Sequence, residues 1–297
     1  MLKRIVVTGG SGFIGSELLN ALLHTNYDVL NIDLSNPHND VRTSNISILN
    51  YDEMYRVIKA FESDAVIHLA GGTANTFNKD PYNFLHTYIK GTKNIVDISE
   101  KLNIKKLIFI SSDHVYVGYD EKSTVNEEDK IKITYNPSEL SNRLIFSMSK
   151  AISEETIINH LSNYVILRLS SVYGKGNCSN LISGMAKEAI SSNEITVWGD
   201  ETRRVQFTFL DDVIKCIIGS LSLKTGIYNV SSDERVKLID VAKKISDYYN
   251  IDYVIDKNKP SGPRFPYVLN KKIKKQLKDF KFTDFQTGLK DYLSQLK

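Results

Sequence analysis

A chain of 297 residues with 41% hydrophobic and 25% charged side chains can bury a full core, which excludes a disordered or fibrous protein. A net charge of +3 is too small to mark a nucleic-acid or membrane partner, and apolar runs stay far short of a membrane span. Cys178 and Cys216 lie far apart and outside any CxxC pattern, so neither a disulfide framework nor a metal site is expected. The first strand pattern starts almost at Met1, leaving no room for a signal peptide, and the expectation is a soluble, cytoplasmic protein.

Short Val- and Ile-rich runs alternate with helical periodicity through the first two-thirds of the chain. Strands are predicted at Arg4–Val7, Asp28–Ile32, Ala65–Leu69, Lys106–Ile110 and Val165–Leu169. Amphipathic helices are predicted between them at Phe13–His24, Asp52–Phe61, Phe84–Lys101 and Leu144–Leu161. Continuous apolar strands separated by helices specify a doubly wound α/β fold, a parallel sheet covered on both faces. After Gly174 the rhythm changes to a polar loop, a helix, a short stretch around Val197–Gly199 and a mixed tail. This divides the chain into a Rossmann domain over 1–174 and a smaller C-terminal lobe over 175–297. The chain is expected to return to the sheet at about 206–231, where Gly226–Val230 reads as another strand. Lys271, Lys272, Lys274, Lys275 and Lys278 read as a solvated helix face.

The first strand runs into Thr8-Gly9-Gly10-Ser11-Gly12-Phe13-Ile14-Gly15 and then a helix, the context in which a glycine fingerprint binds a dinucleotide. Gly9 and Gly10 allow the tight turn, Gly12 admits the pyrophosphate, and Gly15 lets helix and strand pack. The N-terminus of that helix, with Phe13 and Ile14, supplies N–H donors for the anion. Asp33 ends the second strand, where a carboxylate accepts the ribose hydroxyls and repels a 2′-phosphate. Leu34, Ser35 and Asn36 offer no arginine to offset it, so the expected cofactor is NAD. Leu69, Ala70 and Gly71 close another strand with residues small enough for the dinucleotide to cross, and Asn45 and Ile46 are placed beside the adenine. His68 reads as a hydrogen-bonded strand-end histidine.

The ordered set Thr8–Gly15, His68–Gly71, Lys90–Asn94, Ile110–Tyr116, Arg168–Gly174, Phe207–Val213 and Tyr228–Val230 resembles the extended short-chain dehydrogenase/reductase superfamily, in its NAD-dependent epimerase/dehydratase branch acting on nucleotide sugars. The resemblance covers nearly the whole length. It implies a nucleoside-diphosphate sugar as substrate and a homo-oligomer, commonly a dimer through sheet-covering helices. It also implies that Ser112 bonds the sugar oxygen that becomes a carbonyl, and that Lys150 holds the nicotinamide ribose.

Phe146 departs from that pattern, because Phe146-Ser147-Met148-Ser149-Lys150 is a Tyr-x-x-x-Lys dyad without its phenol. A phenyl ring cannot exchange a proton. Asp113 matches the acid of related dehydratases and His114 stands at the position of their base, a group that titrates near neutrality. Tyr135 and Tyr116 are further phenols, Tyr116 reading as structural, and a water held by Ser112 and Lys150 is an alternative. Tyr88 replaces an asparagine common in the branch, Asn270 replaces an aspartate, and Val205 or Arg204 falls where an arginine grips the substrate pyrophosphate. Arg203, Arg204 and Arg264 are the candidates to take over that grip. Two outcomes stay open: an NAD-dependent nucleotide-sugar dehydrogenase or epimerase working at C4, with dehydration as a variant, or a catalytically weakened protein that binds NAD and a nucleotide sugar.

Overall fold

The computed structural model describes residues 2–36, 40–71, 80–134, 142–176 and 180–296. Tyr135 and Cys178 lie outside them. The described chain divides into two compact units: one of Met1–Val115, Ile133–Arg168 and Ile214–Tyr228, the other of Tyr116–Lys132, Leu169–Val213 and Asn229–Lys297.

The first unit is built on β1 (Arg4–Thr8), β2 (Asp28–Asp33), β3 (Arg42–Asn45), β4 (Ala65–His68), β5 (Lys106–Ser112), β6 (Tyr164–Leu169) and β7 (Gly226–Val230). They form a seven-stranded sheet in the order β7-β6-β5-β4-β1-β2-β3. β1 pairs in parallel with both β2 and β4, and β4 pairs in parallel with β5. The doubly wound α/β architecture is as the alternating pattern specified, and β7 joins the sheet over the residues where the sequence shows a returning strand. β3 is the addition. Its Arg-Thr-Ser-Asn sequence carries no apolar alternation, and it forms at the sheet edge because β2 offers open backbone groups to pair with.

The covering helices are α1 (Phe13–Leu23), α2 (Tyr51–Phe61), α3 (Pro81–Lys101) and α4 (Asn142–His160). α2 starts where the Asn50 side chain accepts the Glu53 N–H, and it stops at Glu62 in the left-handed conformation. α3 starts earlier than its apolar spacing alone suggests. Asp80 accepts two N–H groups of the first turn, and Pro81 fits a position where no amide hydrogen is needed. Val6, Leu30, Ile32, Val66, Leu107 and Phe109 of the sheet pack with Ile95, Ile98 and Ile157 of the helices into one apolar core. At ~25 cal/mol per Å² of apolar surface, that burial is the main force holding the strand ends in register.

The second unit has its own core, in which Tyr173, Ile182, Met185, Ile195, Phe207, Val241, Phe285 and Tyr292 come together. Strand Glu194–Trp198 pairs in parallel with Asp252–Asp256, and Arg204–Val205 pairs antiparallel with Val236–Lys237. Helix Leu181–Ser192 opens with a reciprocal cap between Asn180 and Ser183. No helix among the described residues is long and apolar enough to cross a membrane.

Candidate active and cofactor site

The glycine turn between β1 and α1 has two kinds of glycine. Gly9 has φ +78, and a Cβ there would stand 2.6 Å from the Ala70 backbone nitrogen; one on Gly15 would stand 2.2 Å from the Gly9 carbonyl oxygen. These two let β4 and α1 close on the turn. Gly12 differs, because a Cβ there would meet only the Gly9 carbonyl oxygen, at 3.3 Å. Its bareness therefore keeps a surface open, which is the fit expected of a pyrophosphate cradle at a helix N-terminus. Phe13 and Ile14 form the first turn of α1 behind it.

Asp33, at the end of β2, accepts the Ser11 N–H at 2.8 Å and the Leu34 N–H at 2.6 Å. Ile46 donates its N–H to the Asp33 carbonyl oxygen at 3.0 Å, so Asn45 and Ile46 lie beside this strand end. Leu69 donates its N–H to Thr8, and Ala70 and Gly71 follow at the end of β4. Gly9, Gly12, Asp33, Asn45, Ile46, Leu69, Ala70 and Gly71 thus gather along the carboxyl ends of adjacent strands, where open α/β sheets bind ligands. His68 is buried, hydrogen-bonded to Thr8 and Thr92 through its two ring nitrogens, and held neutral by burial, its pKa lowered to about 3.

Ser112 closes β5, a strand buried along its whole length, and Asp113 and His114 begin a short 3-10 turn. The Ser112 hydroxyl donates to the Asp113 carboxyl at 3.4 Å and accepts the His114 N–H at 3.2 Å. Burial raises the Asp113 carboxyl from 3.8 to about 7, the Ser112 hydrogen bond opposing it. Asp113 is therefore partly protonated at neutral pH, unlike an ordinary aspartate.

Lys150 and Phe146 sit one helical turn apart on α4. The Lys150 ammonium donates to the Ile110 carbonyl oxygen at 2.7 Å. It also lies 4.5 Å from the ring centroid of Tyr88, 4.9 Å from that of Phe109 and 5.7 Å from that of Phe146. Burial lowers its pKa from 10.5 to about 7, and the Glu154 carboxylate opposes that. Glu154 is itself held by a buried ion pair with Arg168 at 2.6 Å and by the Ser111 hydroxyl. Phe146 meets His114 edge-on at 5.1 Å between centroids and Tyr88 edge-on at 6.1 Å.

The structure thus brings Ser112, Asp113, His114, Phe146 and Lys150 to one strand end. The sequence motifs mark Tyr88 only as a departure and do not include Glu154. The available signals are helical spacings: Phe84 and Tyr88 four apart on α3, Lys150 and Glu154 four apart on α4.

In the second unit, Arg203 and Arg264 have partners within the chain. Arg203 donates to the carbonyl oxygens of Pro263 at 3.0 Å and Ser261 at 2.7 Å. Arg264 pairs with Glu121 at 2.6 Å and Asp200 at 2.5 Å. Arg204 lies on the exposed face of its strand. Arg235, which belongs to none of the sequence motifs, donates to the carbonyl oxygens of Glu121 and Phe265 and is close enough to Arg204 for their charges to repel. Tyr116 bonds Asn126 and Asn229, a structural use of its phenol. Among the described residues no group of three or more His, Cys, Asp or Glu could hold a metal ion.

Residues 5–231 match the profile of the NAD dependent epimerase/dehydratase family. A Methanocaldococcus jannaschii protein provisionally named UDP-glucose 4-epimerase is 30% identical over 261 residues, covering 80% of this chain and 81% of that protein. A dTDP-D-glucose 4,6-dehydratase of Dictyostelium discoideum is 26% identical over 275 residues, covering 82% of this chain and 62% of that protein, less than two thirds of its length. A UDP-glucose 4-epimerase of Thermotoga maritima, crystallised with UDP-glucose, matches with a TM-score of 0.85 at 19% identity, covering 99% of this chain and 98% of that one, a likeness of fold. With the glycine turn and the Ser112–Lys150 strand end in place, this chain belongs to the NAD-dependent epimerase/dehydratase family.

Proposed function

We propose that the protein is an NAD-dependent oxidoreductase of a nucleoside-diphosphate sugar, exchanging a hydride at C4 as a dehydrogenase or epimerase. The observation that carries this reading is the pairing of Ser112 with Asp113 beside Lys150 at one strand end. A sugar hydroxyl that becomes a carbonyl needs a hydrogen-bond partner with a fixed direction, and Ser112 is oriented by the Asp113 carboxyl and the His114 N–H. Lys150 contributes positive charge close by, and Glu154 keeps part of that charge in place against burial. NAD, when bound, supplies the hydride acceptor; Gly12, the α1 N-terminus and Asp33 would hold its pyrophosphate and ribose. Phe146 has no exchangeable proton, so the proton released with the hydride goes to another group. Arg204, with Arg235 beside it, is the candidate contact for the diphosphate, while Arg203 and Arg264 shape the surrounding loop.

The direct test is mass spectrometry of ligands released from purified protein, followed by incubation with NAD and UDP- or dTDP-hexoses. Release of NAD and formation of a C4 epimer or 4-keto sugar is the expected result. A dehydrated product would move the reaction to the dehydratase variant, for which a partly protonated Asp113 is a suitable acid.

One observation favours a second reading. The Lys150 ammonium, enclosed by Tyr88, Phe109 and Phe146 and bonded to Ile110, suits a protein that binds NAD and a sugar nucleotide with weak turnover. Tight NAD binding with no conversion of any nucleoside-diphosphate hexose would select it.

A further inference from the structure

We propose that Tyr88 is the proton-exchanging phenol of this site, supplied from α3 because α4 presents only Phe146. The proposal rests on the reading of the site as one of NAD-dependent hydride transfer.

Two contacts carry it. The Lys150 ammonium is nearer to the Tyr88 ring, at 4.5 Å, than to the Phe146 ring, at 5.7 Å. A phenolate formed on Tyr88 would have that cation beside its ring. The hydroxyl end of Tyr88 also reaches the carboxyl end of β4, because a Cβ on Gly71 would stand 2.3 Å from Cζ and 2.7 Å from the phenolic oxygen. Gly71 belongs to the strand end over which the cofactor is expected to lie. The Tyr88 and Phe146 rings meet edge-on, so the phenol missing from one is present on its neighbour. Burial raises the Tyr88 phenol above its ordinary range, and it therefore carries its proton in the resting site. That is the state a donor to a carbonyl oxygen requires.

In the reducing direction, the phenolic O–H bond of Tyr88 would break as the substrate carbonyl oxygen takes its proton, and NAD in its reduced form, when bound, would supply the hydride that completes the product C–H bond. Lys150 holds the phenolate until solvent returns a proton; oxidation is the reverse.

Tyr88→Phe removes one oxygen and keeps the ring that packs on Phe84 and Phe146. With NAD and UDP-glucose as probes, the variant should lose about 10²–10⁴-fold in cofactor reduction, the usual worth of a general acid or base. Adding Phe146→Tyr should recover turnover. A second readout uses no sugar. Phenolate absorbance is titrated with and without NAD, whose cationic nicotinamide should ease the ionisation of one phenol, and Tyr88→Phe should lack that component. Undiminished turnover in Tyr88→Phe, with loss in His114→Ala, would move the proton to the histidine and overturn the proposal. Identical NAD-dependent titrations in wild type and Tyr88→Phe would also overturn it. No turnover in the wild type, with the Tyr88 titration intact, would defeat the sugar reading and leave the phenol in its assigned place.

Discussion

Asp33 accepts the backbone N–H of Ser11 at 2.8 Å, so the carboxylate that ends β2 is fastened to the glycine turn itself. A ribose bound at that turn would meet a carboxylate of fixed direction, and a 2′-phosphate would meet its charge. NAD should therefore bind more than about tenfold tighter than NADP, about 1.4 kcal/mol. Calorimetry with both cofactors checks this, and equal affinities would remove Asp33 from cofactor choice. Asp33→Ala should narrow the gap.

Gly12 and Gly9 should respond oppositely to alanine. Gly12 has an ordinary backbone, and a Cβ on it would press on the Gly9 carbonyl oxygen alone, at 3.3 Å, so Gly12→Ala should cost no more than about 1 kcal/mol of stability. It should still weaken NAD binding at least about tenfold. Gly9→Ala, with φ +78 and the Ala70 backbone in the way, should lower stability by about 1–2 kcal/mol or more. Denaturant unfolding with calorimetry separates the two, and a Gly12→Ala protein that binds NAD normally would show that the open face is not a cradle.

Asp113 should make stability fall as pH rises. Its carboxyl titrates at about 7 in the fold and at 3.8 when unperturbed, so the folded state binds the extra proton between those values. Stability is therefore lost progressively from about pH 4 to pH 7, and the penalty is complete above that window. The displacement corresponds to at most about 4 kcal/mol. Asp113→Asn should raise the unfolding midpoint at pH 8 and leave it nearly unchanged at pH 4. Equal effects at both pH values would mean that the carboxyl is already charged.

Arg203 and Arg204 are neighbours in sequence with different expected roles. Arg203→Ala strips hydrogen bonds from the Ser261 and Pro263 carbonyl groups and should cost about 1–3 kcal/mol of stability. Arg204→Ala should leave the unfolding midpoint in place and weaken binding of UDP, measured by calorimetry. Weakened UDP binding in Arg203→Ala with unaltered stability would reverse the two assignments.

Much of the first unit is local in origin and was legible in the sequence. Apolar runs of strand length mark β1, β2, β4, β5 and β6, and 3.6-residue spacing marks α1 to α4. The run from Thr8 to Gly15 needs glycine for reasons confined to one turn, and Asp33 follows at the end of the next strand. The polar β3 was not legible, because its structure comes from the open edge of β2 rather than from its own residues. The surroundings of Lys150 also depend on tertiary structure, since Ile110, the carbonyl that receives its hydrogen bond, is 40 residues away. The same holds for Arg264, whose partner Glu121 is 143 residues away. Periodicity and turn chemistry act between neighbours and are written in spacing. Which ring faces an ammonium, which arginine is taken by the chain's own carbonyl groups, and how dry a carboxyl becomes are settled only when distant segments pack. That is why the expectation of NAD could be drawn from one glycine turn and a carboxylate, while the placement of Tyr88 beside Lys150 appeared only when α3 and α4 were brought together.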